Sequence, residues 1–194
     1  DSNVVAPYPS YGQFPADCQF FGASARYVDL DGDHRVDLQA MRERVDSNTS
    51  AVCITNPNNP TATILDPSEL SDFVDDLPAE VVTLIDEAYY RYITVTDYPS
   101  AVEMVRSGKN VVVVNTFSKV HGLAGARIGY AIGPQAAVSS MRSYQLYATV
   151  SRPSREAGWV SSQLASRGIY VRTGWGMPHH LRVSTGTMEE MVDF

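Results

Sequence analysis

Lys119 follows a polar cluster, Asn115, Thr116 and Ser118, and precedes Arg127 by eight residues. Hydroxyls and a guanidinium can hold a phosphate, and a lysine amine can attack a carbonyl. Four consecutive valines, Val111 to Val114, lead into the cluster. A run so short and so β-branched reads as a strand buried on both faces. Beyond it, Gly122, Gly125 and Gly129 punctuate the segment that carries Arg127. A surface lysine in a strand-to-helix loop fits these residues equally well, so the rest of the chain must decide.

Two further strands end in chemistry-bearing residues. The apolar run 50–55 stops at Asn56-Pro57-Asn58-Asn59-Pro60-Thr61, where two prolines lack the donor a ladder needs. The run 81–85 stops at Asp86-Glu87-Ala88-Tyr89. A carboxylate at the end of a buried strand needs a partner or loses its ionised form. Between the strands the spacing predicts helices over 37–45, capped by Asp37; over 66–76, with Pro67 at its first position; and over 101–106. Residues 7–10 read as a structure-breaking stretch, 11–23 as a helix, 25–30 as a strand and 29–33 as a turn. Alternating strands and helices imply an α/β architecture with a mainly parallel sheet. In such sheets ligands collect at the carboxyl ends of the strands, which would bring the three polar clusters to one edge.

After Ile132 the pattern predicts a helix over 135–147, another over 156–165, short strands at 169–172 and 180–184, and a helix from Thr187 with Glu190 completing a capping box. We read 1–147 as one large domain and 148–194 as the remnant of a smaller α/β domain. The chain has 194 residues, 44% of them hydrophobic and 19% charged, with a formal net charge of -7. That composition suits a folded core and argues against nucleic acid or an anionic membrane as partners. No apolar run reaches the ~20 residues of a membrane span. Cys53 sits in the apolar run Ala-Val-Cys-Ile-Thr and reads as a buried reduced thiol, which fits a cytoplasmic location. His179 and His180 have no carboxylate or cysteine at metal-binding spacing, and no metal site is expected.

A cofactor bearing an aldehyde, a phosphate, a phenolic oxygen and a pyridine nitrogen needs a lysine, hydroxyls with an arginine, donors for the oxygen, and a carboxylate. Pyridoxal 5'-phosphate is that molecule. A carboxylate about 4 Å from the pyridinium, at an effective dielectric of ~20, contributes about 4 kcal/mol, or roughly three pKa units. The ring then stays cationic and acts as an electron sink.

Asn-Pro-Asn-Asn-Pro-Thr, Asp-Glu-Ala-Tyr and Thr-Phe-Ser-Lys-Val-His-Gly-Leu-Ala-Gly-Ala-Arg-Ile-Gly-Tyr, in this order, resemble the class I/II aminotransferases of fold type I. The last motif, with His-Leu-Arg-Val-Ser-Thr-Gly-Thr at 180–187, most resembles the histidinol-phosphate branch. The resemblance implies a three-layer large domain and a small α/β domain. It makes Lys119 the Schiff-base lysine, pairs Asp86 with the pyridine nitrogen, and gives the phenolic oxygen to Asn59 and Tyr89. Thr116, Ser118 and Arg127 would hold the phosphate, Tyr11 would stack on the ring, and Arg182 would grip the substrate carboxylate. His121 is read as loop. The implied reaction is transamination between an amino donor and a 2-oxo acid in a homodimer. Elimination, decarboxylation and cyclisation remain open on the same cofactor, as does a shortened, non-catalytic remnant. A nicotinamide-binding domain is disfavoured, because the glycines do not follow Gly-x-Gly-x-x-Gly.

The family resembled is longer. An upstream glycine and serine turn, the N-terminal arm, a tyrosine lent by the partner subunit and much of the small domain have no counterpart here, so a shortened piece is expected. Ala62 replaces the glycine usual after Asn-Pro-Thr, and alanine is strained there if φ is positive.

Overall fold

The computed structural model describes residues 2–144. The chain divides into two compact units, one of Asp1–Asn115 with Tyr130–Met141 and a second containing Thr116–Gly129. Elements follow in the order β1 (Asn3–Tyr8), α1 (Gln13–Phe20), β2 (Ser24–Asp29), α2 (Leu38–Arg44), β3 (Thr49–Thr55), α3 (Pro67–Asp75), β4 (Val82–Asp86), α4 (Val102–Arg106), β5 (Val111–Thr116), β6 (Gly129–Ile132) and α5 (Gln135–Ser143). Single 3-10 turns lie at Tyr90–Tyr92 and Ala124–Ala126. The expected helix end at Tyr147, the elements expected beyond it, the domain boundary at 147/148, and His179, His180 and Arg182 lie outside the described residues.

The six strands form one sheet in the order β2-β1-β3-β4-β5-β6. Every pairing from β2 through β5 is parallel. Its central strands are buried on both faces, as the valine run requires: Val111, Val112 and Val113 are 0–2% exposed. One face, with Val5, Val52, Ile54, Ile85, Val111 and Val113, packs against Met41 of α2 and Leu70, Phe73 and Val74 of α3. Truncating a buried phenylalanine such as Phe73 to alanine costs about 3–5 kcal/mol in a core of this kind. The opposite face buries Val4, Ala6, Cys53 and Val112.

The helices start where local chemistry starts them. Asp37 accepts from the Ala40 N–H at 2.9 Å, and Asp66 accepts from the Ser68 and Glu69 N–H groups at 2.8 and 3.2 Å, with Pro67 at the first position of α3. Helix α1 is shorter than its pattern. Gly12 stands at its N-cap without a side chain to cap it. Gly22, at φ 91°, ends it as the Ala23 N–H reaches back to the Cys18 carbonyl at 3.0 Å.

One expectation is corrected. Pro7 lies inside β1 rather than in a breaking stretch. The Tyr8 carbonyl accepts from the Leu30 N–H on the β2 side. Neighbouring residues of a strand alternate in direction, so Pro7 turns its missing donor away from β2. On that side the ladder to β3 has already ended at Val5–Val52.

Candidate functional site

The carboxyl ends of β3, β4 and β5 are in register: Thr55 pairs with Asp86, and Asp86 with Val114. The Asn56 N–H donates to the Asp86 carbonyl at 2.9 Å, and the Glu87 N–H to the Val114 carbonyl at 2.9 Å. Asp86 is thus the last residue of a central strand, 7% exposed, and its carboxylate accepts from the Ala88 N–H at 2.8 Å. Within the first unit, three parallel strands therefore bring Asn56, Asp86 and Asn115 to their carboxyl ends.

The loop after β3 is held by its own amides. Asn56 Oδ1 accepts from the Leu65 N–H at 3.0 Å, and Asn56 Nδ2 donates to the Tyr98 hydroxyl at 2.8 Å. That hydroxyl donates on to the Leu65 carbonyl at 2.6 Å. Asn58 donates to Thr61 Oγ1 and the Pro9 carbonyl and accepts from Ser10 Oγ at 2.7 Å, tying the segment before Tyr11 to this loop. Asn58 is consumed by structure, whereas half-buried Asn59 faces a cleft of about 380 Å³. Tyr89 lines the same cleft, with Pro57, Tyr92, Ile93 and Val95. Tyr89 and Tyr92 stand 6.1 Å apart between ring centroids. Asp86 is not part of that lining. Tyr11 is 41% exposed and meets Phe14 edge-on at 5.4 Å.

Glu87, beside Asp86, is 4% exposed. Its carboxylate accepts from Ser100 Oγ at 2.7 Å and from the Ala101 N–H at 2.6 Å. Burial pushes its pKa above the ordinary carboxylate value, against the pull of those two donors and of Arg91. The residue pattern assigns no role to Asn56, Glu87 or Tyr98. An acidic residue directly after a buried strand, paired with a Ser-Ala helix start thirteen residues on, was the one signal available for Glu87.

In the second unit, Thr116 Oγ1 accepts from the Ser118 N–H at 3.1 Å, and the Phe117 N–H donates to the Ile128 carbonyl at 3.1 Å. Arg127 adopts a left-handed backbone, φ 56° and ψ 45°. Its Nη1 donates to the Ala124 carbonyl at 3.1 Å and lies 3.5 Å from Ser118 Oγ. A hydroxyl and a guanidinium therefore meet at Ser118, the residue before Lys119, which is exposed and whose carbonyl accepts from the Gly122 N–H. His121 sits against Phe117, ring centroids 5.2 Å apart.

The chain has two lysines, Lys109 and Lys119. Lys109 Nζ donates to the Ser71 carbonyl, Ser71 Oγ and Asp75 Oδ2 at 3.1, 2.6 and 2.7 Å, which uses all three of its protons. Among the described residues no group of His, Cys, Asp and Glu is arranged to hold a metal ion, and no helix is long and apolar enough to cross a membrane.

Residues 1–158 match the family described as aminotransferase class I and II. An aromatic amino acid aminotransferase of Mycobacterium marinum is 36% identical over 93% of this chain and 50% of its own length. A histidinol-phosphate aminotransferase of Halalkalibacterium halodurans is 43% identical over 72% of this chain and 38% of its own. The crystal structure of histidinol-phosphate aminotransferase from Sinorhizobium meliloti in complex with pyridoxal-5'-phosphate superposes with a TM-score of 0.70 and 28% identity, over 78% of this chain and 41% of that one. The mainly parallel six-stranded sheet is the fold type I sheet of such enzymes. The chain spans half or less of the length of these relatives.

Proposed function

Because the chain belongs to the class I and II aminotransferases, a pyridoxal-phosphate-dependent family, we propose that it holds pyridoxal 5'-phosphate and takes part in transamination between an amino donor and 2-oxoglutarate. The donor is of the histidinol-phosphate or aromatic amino acid class named in its relatives. One observation carries the assignment: Arg127 Nη1 lies 3.5 Å from Ser118 Oγ, so a guanidinium and a hydroxyl meet at the residue directly before Lys119.

The residues present fit the cofactor's chemistry. Ser118 and Arg127 supply the paired hydroxyl and guanidinium a phosphate takes, with Thr116 beside them. Asp86 supplies a buried carboxylate for a protonated ring nitrogen. Asn59 and Tyr89, which share one cleft, supply donors for a phenolic oxygen, and Tyr11 offers an exposed ring to stack on the cofactor. When bound, the cofactor supplies an electron sink for the bond broken at the substrate α carbon. Lys119 would hold the cofactor through its amine, and its Nζ would take the proton released at the substrate α carbon. Asp86 would keep the ring nitrogen protonated by its charge. Arg182 takes the substrate carboxylate by a bidentate pair. The working form is a cytoplasmic homodimer.

The test is formation of glutamate from 2-oxoglutarate with histidinol phosphate or an aromatic amino acid as donor, by the chain and its Lys119→Ala variant. Glutamate formation lost in the variant is expected. Full transamination by Lys119→Ala would sink the assignment.

A further inference from the structure

Asp86 and Tyr89 stand at the two ends of a four-residue stretch whose second residue, Glu87, has no role in the proposed reaction. Its backbone and side chain nevertheless hold three separate segments. The Glu87 N–H binds the Val114 carbonyl of β5, and its own carbonyl accepts from the Tyr90 N–H at 2.9 Å, which starts the turn that carries Tyr89. Its carboxylate spans Ser100 Oγ and the Ala101 N–H, the start of α4. The strap between these anchors is pinned again by Tyr90, whose hydroxyl donates to the Tyr98 carbonyl at 2.9 Å, and by Tyr98, whose hydroxyl meets Asn56 and Leu65.

We propose that Glu87 is a positioning residue: by clamping the start of α4 to the end of β4, its carboxylate fixes where the Asp86 carboxylate and the Tyr89 hydroxyl stand. This rests on the reading that Asp86 meets the cofactor's ring nitrogen. Hydrogen-bond geometry is the active ingredient rather than charge. A glutamine can accept from the Ala101 N–H with its carbonyl and donate to Ser100 Oγ with its amide, so Glu87→Gln preserves both links. Glu87→Ala removes both and strands a buried N–H. Ser100→Ala removes one of them, together with the 3.2 Å bond from the Val102 N–H to Ser100 Oγ, and leaves the other.

A merely structural role would weaken every ligand alike, so the test compares two. Dissociation constants of pyridoxal 5'-phosphate and of its 1-deaza analogue, in which a C–H replaces the ring nitrogen, are measured on the wild-type chain and the three variants, each checked by thermal melting. The wild-type chain and Glu87→Gln should prefer the nitrogen-bearing ring by the same factor. Glu87→Ala should lose about tenfold of that preference, the loss expected when a charge-assisted hydrogen bond is misaligned, and Ser100→Ala part of it. A wild-type chain indifferent to the ring nitrogen would overturn the Asp86 reading and the inference with it. A discriminating wild type, with Glu87→Ala and Ser100→Ala discriminating equally well, would overturn the Glu87 inference alone. So would a Glu87→Gln that loses the preference as fully as Glu87→Ala.

Discussion

Ala62 has φ 58°, in the left-handed region, at a position where the family resembled carries glycine. The turn is closed on both sides: the Ala62 N–H donates to the Asn58 carbonyl at 2.8 Å, and the Asn58 N–H to the Thr63 carbonyl at 2.9 Å. The backbone therefore cannot relax without breaking two bonds. An L-residue in this conformation costs about 1–2 kcal/mol relative to glycine. Glycine's greater freedom in the unfolded chain takes back about 0.4–1 kcal/mol. Ala62 is exposed, so losing its methyl leaves no cavity. Ala62→Gly should thus stabilise the chain by about 0.5–1 kcal/mol, which for a chain of this size is a rise in Tm of about 1–4 °C. Ala62→Val should lower Tm, because a β-branched side chain is worse there still. Calorimetric melts of the three proteins under one set of conditions decide it. A fall in Tm for Ala62→Gly, with Ala62→Val unchanged, would refute the positive φ and the strain assigned to it.

Thr83 Oγ1 is buried in β4 without a hydrogen-bond partner, so Thr83→Val should stabilise by about 1 kcal/mol and raise Tm by a few degrees. The Asn3 amide, the Asn48 N–H and Arg26 hold the Asp46 carboxyl at about 2, below its ordinary 3.8. Its contribution is therefore fully present above pH 3.8 and lost as pH falls toward 2. Urea unfolding across that window should show a shallower acid decline in Asp46→Asn than in the wild-type chain. Burial pushes the Cys53 thiol up to about 12, whereas Cys18 is half-buried. Iodoacetamide should therefore alkylate Cys18 first under native conditions and reach Cys53 only on unfolding, as peptide mass spectrometry would record.

The parallel sheet is readable because its strands are short apolar runs, ended by Asp86 or by prolines 57 and 60, that alternate with capped helices. Asp37 and Asp66-Pro67 gave the starts of α2 and α3 by local chemistry alone. Pro7 reads as a breaker because its place inside β1 depends on where the ladder to β3 stops, a tertiary fact. Helix α1 is shorter than its pattern because its ends are set by glycines rather than by a capping side chain. Of the expected site, Asn59 with Tyr89, and Ser118 with Arg127, are each brought together. What local pattern could not supply was the frame behind them. Asn56, Glu87 and Tyr98 act through partners up to forty-two residues away, beyond any sequence window.

The central claim, that Lys119 is the amine through which this chain holds pyridoxal 5'-phosphate, is open to one direct measurement. The purified chain is mixed with the cofactor, reduced with borohydride, digested, and its modified peptides mapped by mass spectrometry. Lys109 is a built-in control, since Ser71 and Asp75 take its protons. A pyridoxyl group on Lys119 and none on Lys109 is the predicted result. Equal labelling of both lysines, or none on Lys119, would contradict it.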